Sequence, residues 1–162
     1  ISLRRAPDVA LACLEAYGPA SEPYVISLRE LLGVISAHEW RKHGLPVLAD
    51  SSGEPIVVHP HYGVFSPVRG EYVALVVKAP WPAALKTHSV AFDIGVGTGV
   101  LSALLARRGA AQVVGSDLSE RALACARDNL QRLGLQNQIQ LLQTDLFPPG
   151  QAALVVCNPP WL

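Results

Sequence analysis

The chain has 162 residues, half of them hydrophobic, enough for one ordinary domain or a small domain with an appendage. Thirteen basic side chains balance thirteen acidic ones, so the chain as a whole lacks the basic footprint of a nucleic-acid binder. No apolar run reaches the ~20 residues that span a bilayer, no leader pattern opens the sequence, and Cys13, Cys125 and Cys157 form neither a disulfide framework nor a metal spacing, which fits a reducing cytoplasm.

Residues 7–17 have helical spacing, with Val9, Cys13 and Tyr17 on one side and Gly18-Pro19 as the stop. Ser27-Leu28-Arg29-Glu30 and Ser36-Ala37-His38-Glu39 each fit a capping box. The first predicts a short helix through Leu32 ended by Gly33, the second a helix through Lys42. Residues 47–49 and 56–59 flank Asp50-Ser51-Ser52-Gly53-Glu54 and read as a β-hairpin. Residues 1–60 are therefore expected to form a helical and hairpin region, and residues 61–162 a separate domain. Arg4-Arg5 and Arg41-Lys42-His43 are local positives of the size of a solvated face. His59 and His61 would share one face of a strand, but with no third ligand nearby they read as loop or substrate-contact residues rather than a zinc site. Arg69 and Glu71 open a predicted helix through Val77, and Trp40 and Trp81 read as packing residues.

Residues 90–94 are apolar except Asp93, as expected of a parallel strand covered on both faces. Gly95-Val96-Gly97-Thr98-Gly99 follows, then a helical stretch over 100–108 with Gly109 as its cap. A strand, a glycine turn and a helix make the first half of a βαβ unit, in which glycines let the backbone approach a ligand closely. Dinucleotide sites favour G-x-G-x-x-G facing a pyrophosphate. Here the pattern is G-x-G-x-G with a carboxylate two residues ahead, which suits a cationic amino-acid moiety better. Residues 112–116 form a second strand ending at Asp117, about 20 residues after the glycine turn, where such folds hold ribose hydroxyls. Ser119 caps a helix over 120–133 that Gly134 stops, and a third strand over 139–143 leads to Thr144-Asp145-Leu146. Any one acid could be a solvated loop carboxylate. Asp93, Asp117 and Asp145 at the ends of three successive strands fit a ligand site better, since open α/β sheets bind ligands there. A fourth apolar strand, 155–157, runs into Asn158-Pro159-Pro160-Trp161.

From about residue 91 to residue 161 the chain resembles the class I S-adenosylmethionine-dependent methyltransferases, in particular the small-domain N-methyltransferases. The resemblance implies a Rossmann-like, doubly wound, mostly parallel α/β sheet with a small N-terminal appendage that grips a macromolecular substrate. It implies a cradle for the methionine part of S-adenosylmethionine at Asp93, Gly95, Gly97, Thr98 and Gly99. Asp117 would take the ribose hydroxyls with Leu118 beside the adenine, and Asp145 and Leu146 would read the adenine amino group and pack on its ring. Such a sheet continues past the Asn-Pro-Pro motif, whereas this sequence stops at Leu162 and contains no methionine. The expectation is a chain lacking its C-terminal part, truncated after the fourth strand.

Asn158, Pro159, Pro160 and Trp161 resemble the Asn/Asp-Pro-Pro-aromatic motif of enzymes that methylate base amines or side-chain amides. In these groups the nitrogen lone pair is delocalised. The Asn158 carboxamide oxygen and the Pro159 carbonyl can each accept a hydrogen bond from the NH₂, freeing the lone pair and stabilising positive charge as it develops. Trp161 offers a stacking face, and the prolines stiffen the loop. Gly63-Val64-Phe65-Ser66 resembles a segment of small-domain RNA guanine N2-methyltransferases, so Phe65 packs on the cofactor or shapes the target pocket, unless it only anchors the hairpin to the next helix. The expected substrate is a nucleic-acid base of rRNA or DNA, the alternatives being a release-factor-type protein glutamine or a non-catalytic cofactor-binding fragment.

Overall fold

The computed structural model describes residues 7–47, 54–68, 70–86 and 90–159. Arg4-Arg5, residues 48–53 of the predicted hairpin, Arg69, Pro160 and Trp161 lie outside the described residues. Helix α1 (Val9–Tyr17) opens at Asp8, whose carboxylate accepts the Leu11 N–H at 3.0 Å. Helix α2 (Leu28–His43) opens at Ser27, whose Oγ accepts the Glu30 N–H at 3.1 Å, the serine half of the first capping box.

The expected break at Gly33 does not occur, and the second capping box is not a cap. Gly33 lies inside α2, and Ser36 donates its hydroxyl back to the Leu32 carbonyl at 2.8 Å. The reason is packing. Val34 packs with Ala12 and Ala16 of α1, His38 is buried beside Glu15 of the same helix, and burying this face outweighs the roughly 1 kcal/mol that a mid-helix glycine costs. Glu15 meets His38 at 3.0 Å, and Tyr17 donates to Glu30 at 2.6 Å.

Strands β1 (Leu45–Val47) and β2 (Ile56–Val58) pair antiparallel with Pro46 opposite Val57. The hairpin is present, with β1 opening two residues earlier than predicted. Val47, Ile56 and Val58 are buried in one cluster with Leu104 and Leu105. Helix α3 (Glu71–Lys78) agrees with its prediction, and its C-terminal carbonyls Val76 and Ala79 accept from Arg108, which also lies over the Trp81 ring. A 3₁₀ turn (Ala83–Lys86) had no sequence signal.

The main sheet holds β3 (Val90–Ile94), β4 (Gln112–Asp117), β5 (Ile139–Gln143) and β6 (Leu154–Cys157), all parallel in the order β5-β4-β3-β6. Helices α4 (Val100–Arg107) and α5 (Glu120–Arg132) make the crossovers. Strand alternation sends Ala91 and Val113 into the cluster under α4, and Phe92, Ile94 and Val114 into a second one. This is the expected Rossmann-like α/β architecture. From β3 the chain moves outward through β4 and β5, then returns to add β6 on the other side. The strand order therefore reverses at β3, and ligands of open α/β sheets bind beyond the strand ends at such a point. Among the described residues no helix is long and apolar enough to cross a membrane.

Candidate cofactor site and active site

The loop from β3 to α4 is held to the end of β4 through its backbone N–H groups. Gly95 and Val96 donate their N–H groups to the Ser116 carbonyl at 2.9 and 2.8 Å, and Gly97 donates to Asp117 Oδ2 at 3.1 Å. Gly99 has φ +80°, a left-handed conformation that calls for glycine. Gly115 lets the loop lie on β4: a Cβ would come within 2.7 Å of the Val96 side chain. Sequence reading passed over Gly115, although a glycine inside an apolar strand signals a close approach.

Asp93 lies at the floor of this loop, 1 % exposed. Its Oδ2 accepts the Ser102 hydroxyl at 2.7 Å, and its Oδ1 has no hydrogen-bond partner. Burial pushes the carboxyl up to about 7; the Ser102 bonds oppose this, and the Asp117 charge adds to it. A buried carboxylate oxygen without a partner calls for a donor, and a cationic group would supply one. Asp93 shares a small cavity of about 50 Å³ with Gly95, Gly97, Thr98, Phe65, Tyr72 and Asn158.

A second cavity of about 240 Å³ opens beyond β4, lined by Asp117, Leu118, Asp145, Leu146 and Pro159, and Gly95 borders both. Asp117 accepts the Ser119 N–H on Oδ1 at 3.0 Å and the Gly97 N–H on Oδ2, and each oxygen keeps a lone pair for a further donor. Leu118 and Leu146 are exposed. Leu146 has φ +56°, uncommon for a leucine, and its carbonyl accepts the Ser116 hydroxyl at 2.7 Å. Phe147, unnoticed in the sequence, is exposed next to it.

The structure thus gathers Asp93, Gly95, Gly97, Thr98, Phe65 and Asn158 around one cavity, and Asp117, Leu118, Asp145, Leu146 and Pro159 around its neighbour. Gly99 adjoins the first as the cap of α4. Phe65 is exposed and packs against Tyr72, ring centroids 6.2 Å apart. Tyr72 had no sequence signal; burial pushes its phenol up to about 12, with the Asp93 charge adding to it.

His59 and His61 do not come together as ligands. The His59 ring bonds the Arg41 carbonyl at 2.7 Å, and the His61 ring meets Asp128 at 3.1 Å. Burial lowers the His61 pKa, with Arg41 acting in the same direction. Among the described residues no group of three His, Cys, Asp or Glu side chains could hold a metal.

The family described as methyltransferase small domain matches residues 56–162. A ribosomal protein L11 methyltransferase from Caldanaerobacter subterraneus is 31% identical over 142 residues, covering 75% of this chain and 44% of the relative. A ribosomal RNA small subunit methyltransferase C from Alcanivorax borkumensis is 41% identical over 102 residues, covering 61% of this chain and 30% of the relative. The chain thus spans less than half the length of these relatives. The crystal structure of a ribosomal protein L11 methylase from Lactobacillus delbrueckii superposes with a TM-score of 0.50 at 23% identity, over 59% of this chain and 49% of that one, a likeness of fold.

Proposed function

Because the chain belongs to the methyltransferase small-domain family, we propose that it transfers a methyl group from S-adenosylmethionine to a planar nitrogen of a macromolecule. The observation that carries this reading is the shared cavity of Asp93 and Asn158: an open buried carboxylate oxygen and a carboxamide acceptor border the same space. The bound cofactor supplies an electrophilic methyl group on a sulfonium. Asp93 Oδ1 takes its ammonium, and the Gly95–Gly99 backbone holds the methionine chain. Asp117 accepts from the ribose hydroxyls, while Leu118, Asp145 and Leu146 enclose the adenine.

Asn158 and the Pro159 carbonyl would accept the two N–H groups of the target amine, freeing its lone pair and stabilising positive charge as it develops on nitrogen. By the sequence motif alone, Trp161 is assigned the stacking role and Pro160 the stiffening role, while Phe65 borders the cavity of Asp93 and Asn158. The proton leaves to water after transfer, so no general base is required.

The substrate is an exocyclic base amine of RNA in the ribosome. The 41%-identical RNA-methylating relative and the Gly-Val-Phe-Ser segment support this choice. Zero formal charge is compatible with reading one flipped base rather than a long duplex. The region before residue 61 grips this substrate, and the reaction takes place in the cytoplasm. A protein substrate is the second reading, favoured by the relative named for ribosomal protein L11, whose match covers more of this chain. The test is incubation with methyl-labelled cofactor and, separately, ribosomal RNA, ribosomal protein and release factor. Label in an RNA base is the expected result; label only in protein would transfer the assignment to a side-chain nitrogen; cofactor binding without transfer to any of them would mark a non-catalytic binding module.

A further inference from the structure

We infer that Asn129 is a positioning residue that locks the Phe65-bearing segment to the glycine loop, so that target pocket and cofactor cradle keep one geometry; this rests on the functional reading above. Asn129 is fully buried in α5 and uses both ends of its carboxamide. Its Oδ1 accepts the His59 N–H at 2.8 Å, and its Nδ2 donates to the Thr98 carbonyl at 3.0 Å. The following N–H, that of Gly99, donates to the Val96 carbonyl at 2.8 Å. The peptide between Thr98 and Gly99 is therefore pinned from opposite sides, and one of the two pins belongs to Asn129.

The other end of the lock is just as defined. The same face of α5 grips the chain that follows His59. The His61 N–H meets Cys125 Sγ at 3.3 Å, the His61 ring meets Asp128 at 3.1 Å, and Arg121 donates to the Tyr62 carbonyl at 3.1 Å. Positions 121, 125, 128 and 129 fall on one stripe of a helix. Three residues beyond Tyr62 the chain delivers Phe65 to the cavity of Asp93 and Asn158. Asn129 thus joins this segment to the glycine loop through one buried side chain bonded to both.

The test uses Asn129→Asp, which keeps an acceptor for the His59 N–H but offers no N–H to Thr98. Calorimetry should show S-adenosylmethionine affinity reduced on the order of tenfold, and kcat at saturating cofactor should fall on the order of tenfold, in a protein whose circular dichroism is unchanged. The decisive readout is a double-mutant cycle. Phe65→Ala should weaken cofactor binding in the unmodified protein by more than it does in the Asn129→Asp background, an effect that loss of general stability would not produce. Should Asn129→Asp fail to fold, the exposed Arg121→Ala serves instead, and is expected to weaken cofactor binding about threefold by loosening Tyr62. Wild-type cofactor affinity in whichever variant folds, or a Phe65→Ala effect of equal size in both backgrounds, would overturn the inference alone. Absence of cofactor binding by the unmodified protein would overturn the functional reading together with it.

Discussion

The rim of the main sheet and the N-terminal helix pair are built on opposite terms. Helix α4 buries seven of its eight residues, from Val100 through Ala106, whereas α1 buries two of nine and α2 two of sixteen. The loop ahead of α4 is fixed to the end of β4 through its backbone N–H groups, and by Asn129. The helix pair is tied by a small buried cluster, by Glu15 to the buried His38 and by Tyr17 to Glu30 at its surface, and leaves Leu28 and Leu32 exposed at 73 % and 56 %. A region that must hold a small ligand in one geometry is over-determined. A region with few buried side chains tolerates change more readily.

The largest effect expected from breaking this contrast is at Asn158. Asn158→Ala should lower kcat on the order of 10²–10³-fold, as loss of a preorganised charge-stabilising partner does elsewhere. Cofactor affinity by calorimetry should stay within about threefold. Equal loss of both would mean that Asn158 serves binding rather than transfer.

Asp93 comes next. Its carboxyl titrates at about 7 in the folded protein, against 3.8 ordinarily, so between those values the folded state holds a proton that the unfolded state has lost. The stability this confers on the cofactor-free protein is fully present below about pH 4 and is lost as pH rises toward 7. Urea unfolding at several pH values should show that decline, and Asp93→Asn should flatten it. Cofactor binding has the opposite sign, because an ammonium needs the ionised carboxylate: affinity should rise from pH 6 to 8 in the unmodified protein. In Asp93→Asn it should be weaker on the order of tenfold or more, with the rise abolished.

Gly115→Ala should destabilise by about 1–3 kcal/mol, because its Cβ meets Val96 at 2.7 Å in a packed interior. An unchanged urea midpoint would mean that the loop does not press on β4. The smallest effect is expected in the helix pair. Gly33 lies inside α2, and a Cβ added there would meet nothing within 4 Å, so Gly33→Ala should stabilise by up to about 1 kcal/mol and leave cofactor affinity unchanged.

What could be read from the sequence follows the same division. The central strand β3 is covered on both faces and apolar but for Asp93, and a glycine turn between strand and helix has few alternatives. The four parallel strands, α4, α5 and the acids at the strand ends were therefore legible. The continuity of α2 was not, because a local glycine and a local Ser-x-x-Glu both suggest a boundary that packing on α1 overrides. Gly115 and Tyr72 matter through neighbours distant in sequence. Asn129 did carry a signal: it recurs on the stripe of Ala122, Cys125 and Ala126, and a carboxamide on an apolar helix face calls for buried partners. Their identity, His59 and Thr98, required the fold.

The most direct measurement is a calorimetric titration of S-adenosylmethionine into the protein, with NADH as the competing dinucleotide. Saturable one-site binding of the methyl donor and none of NADH is the predicted result. No binding of the methyl donor, or binding of NADH in its place, would contradict the account at its centre.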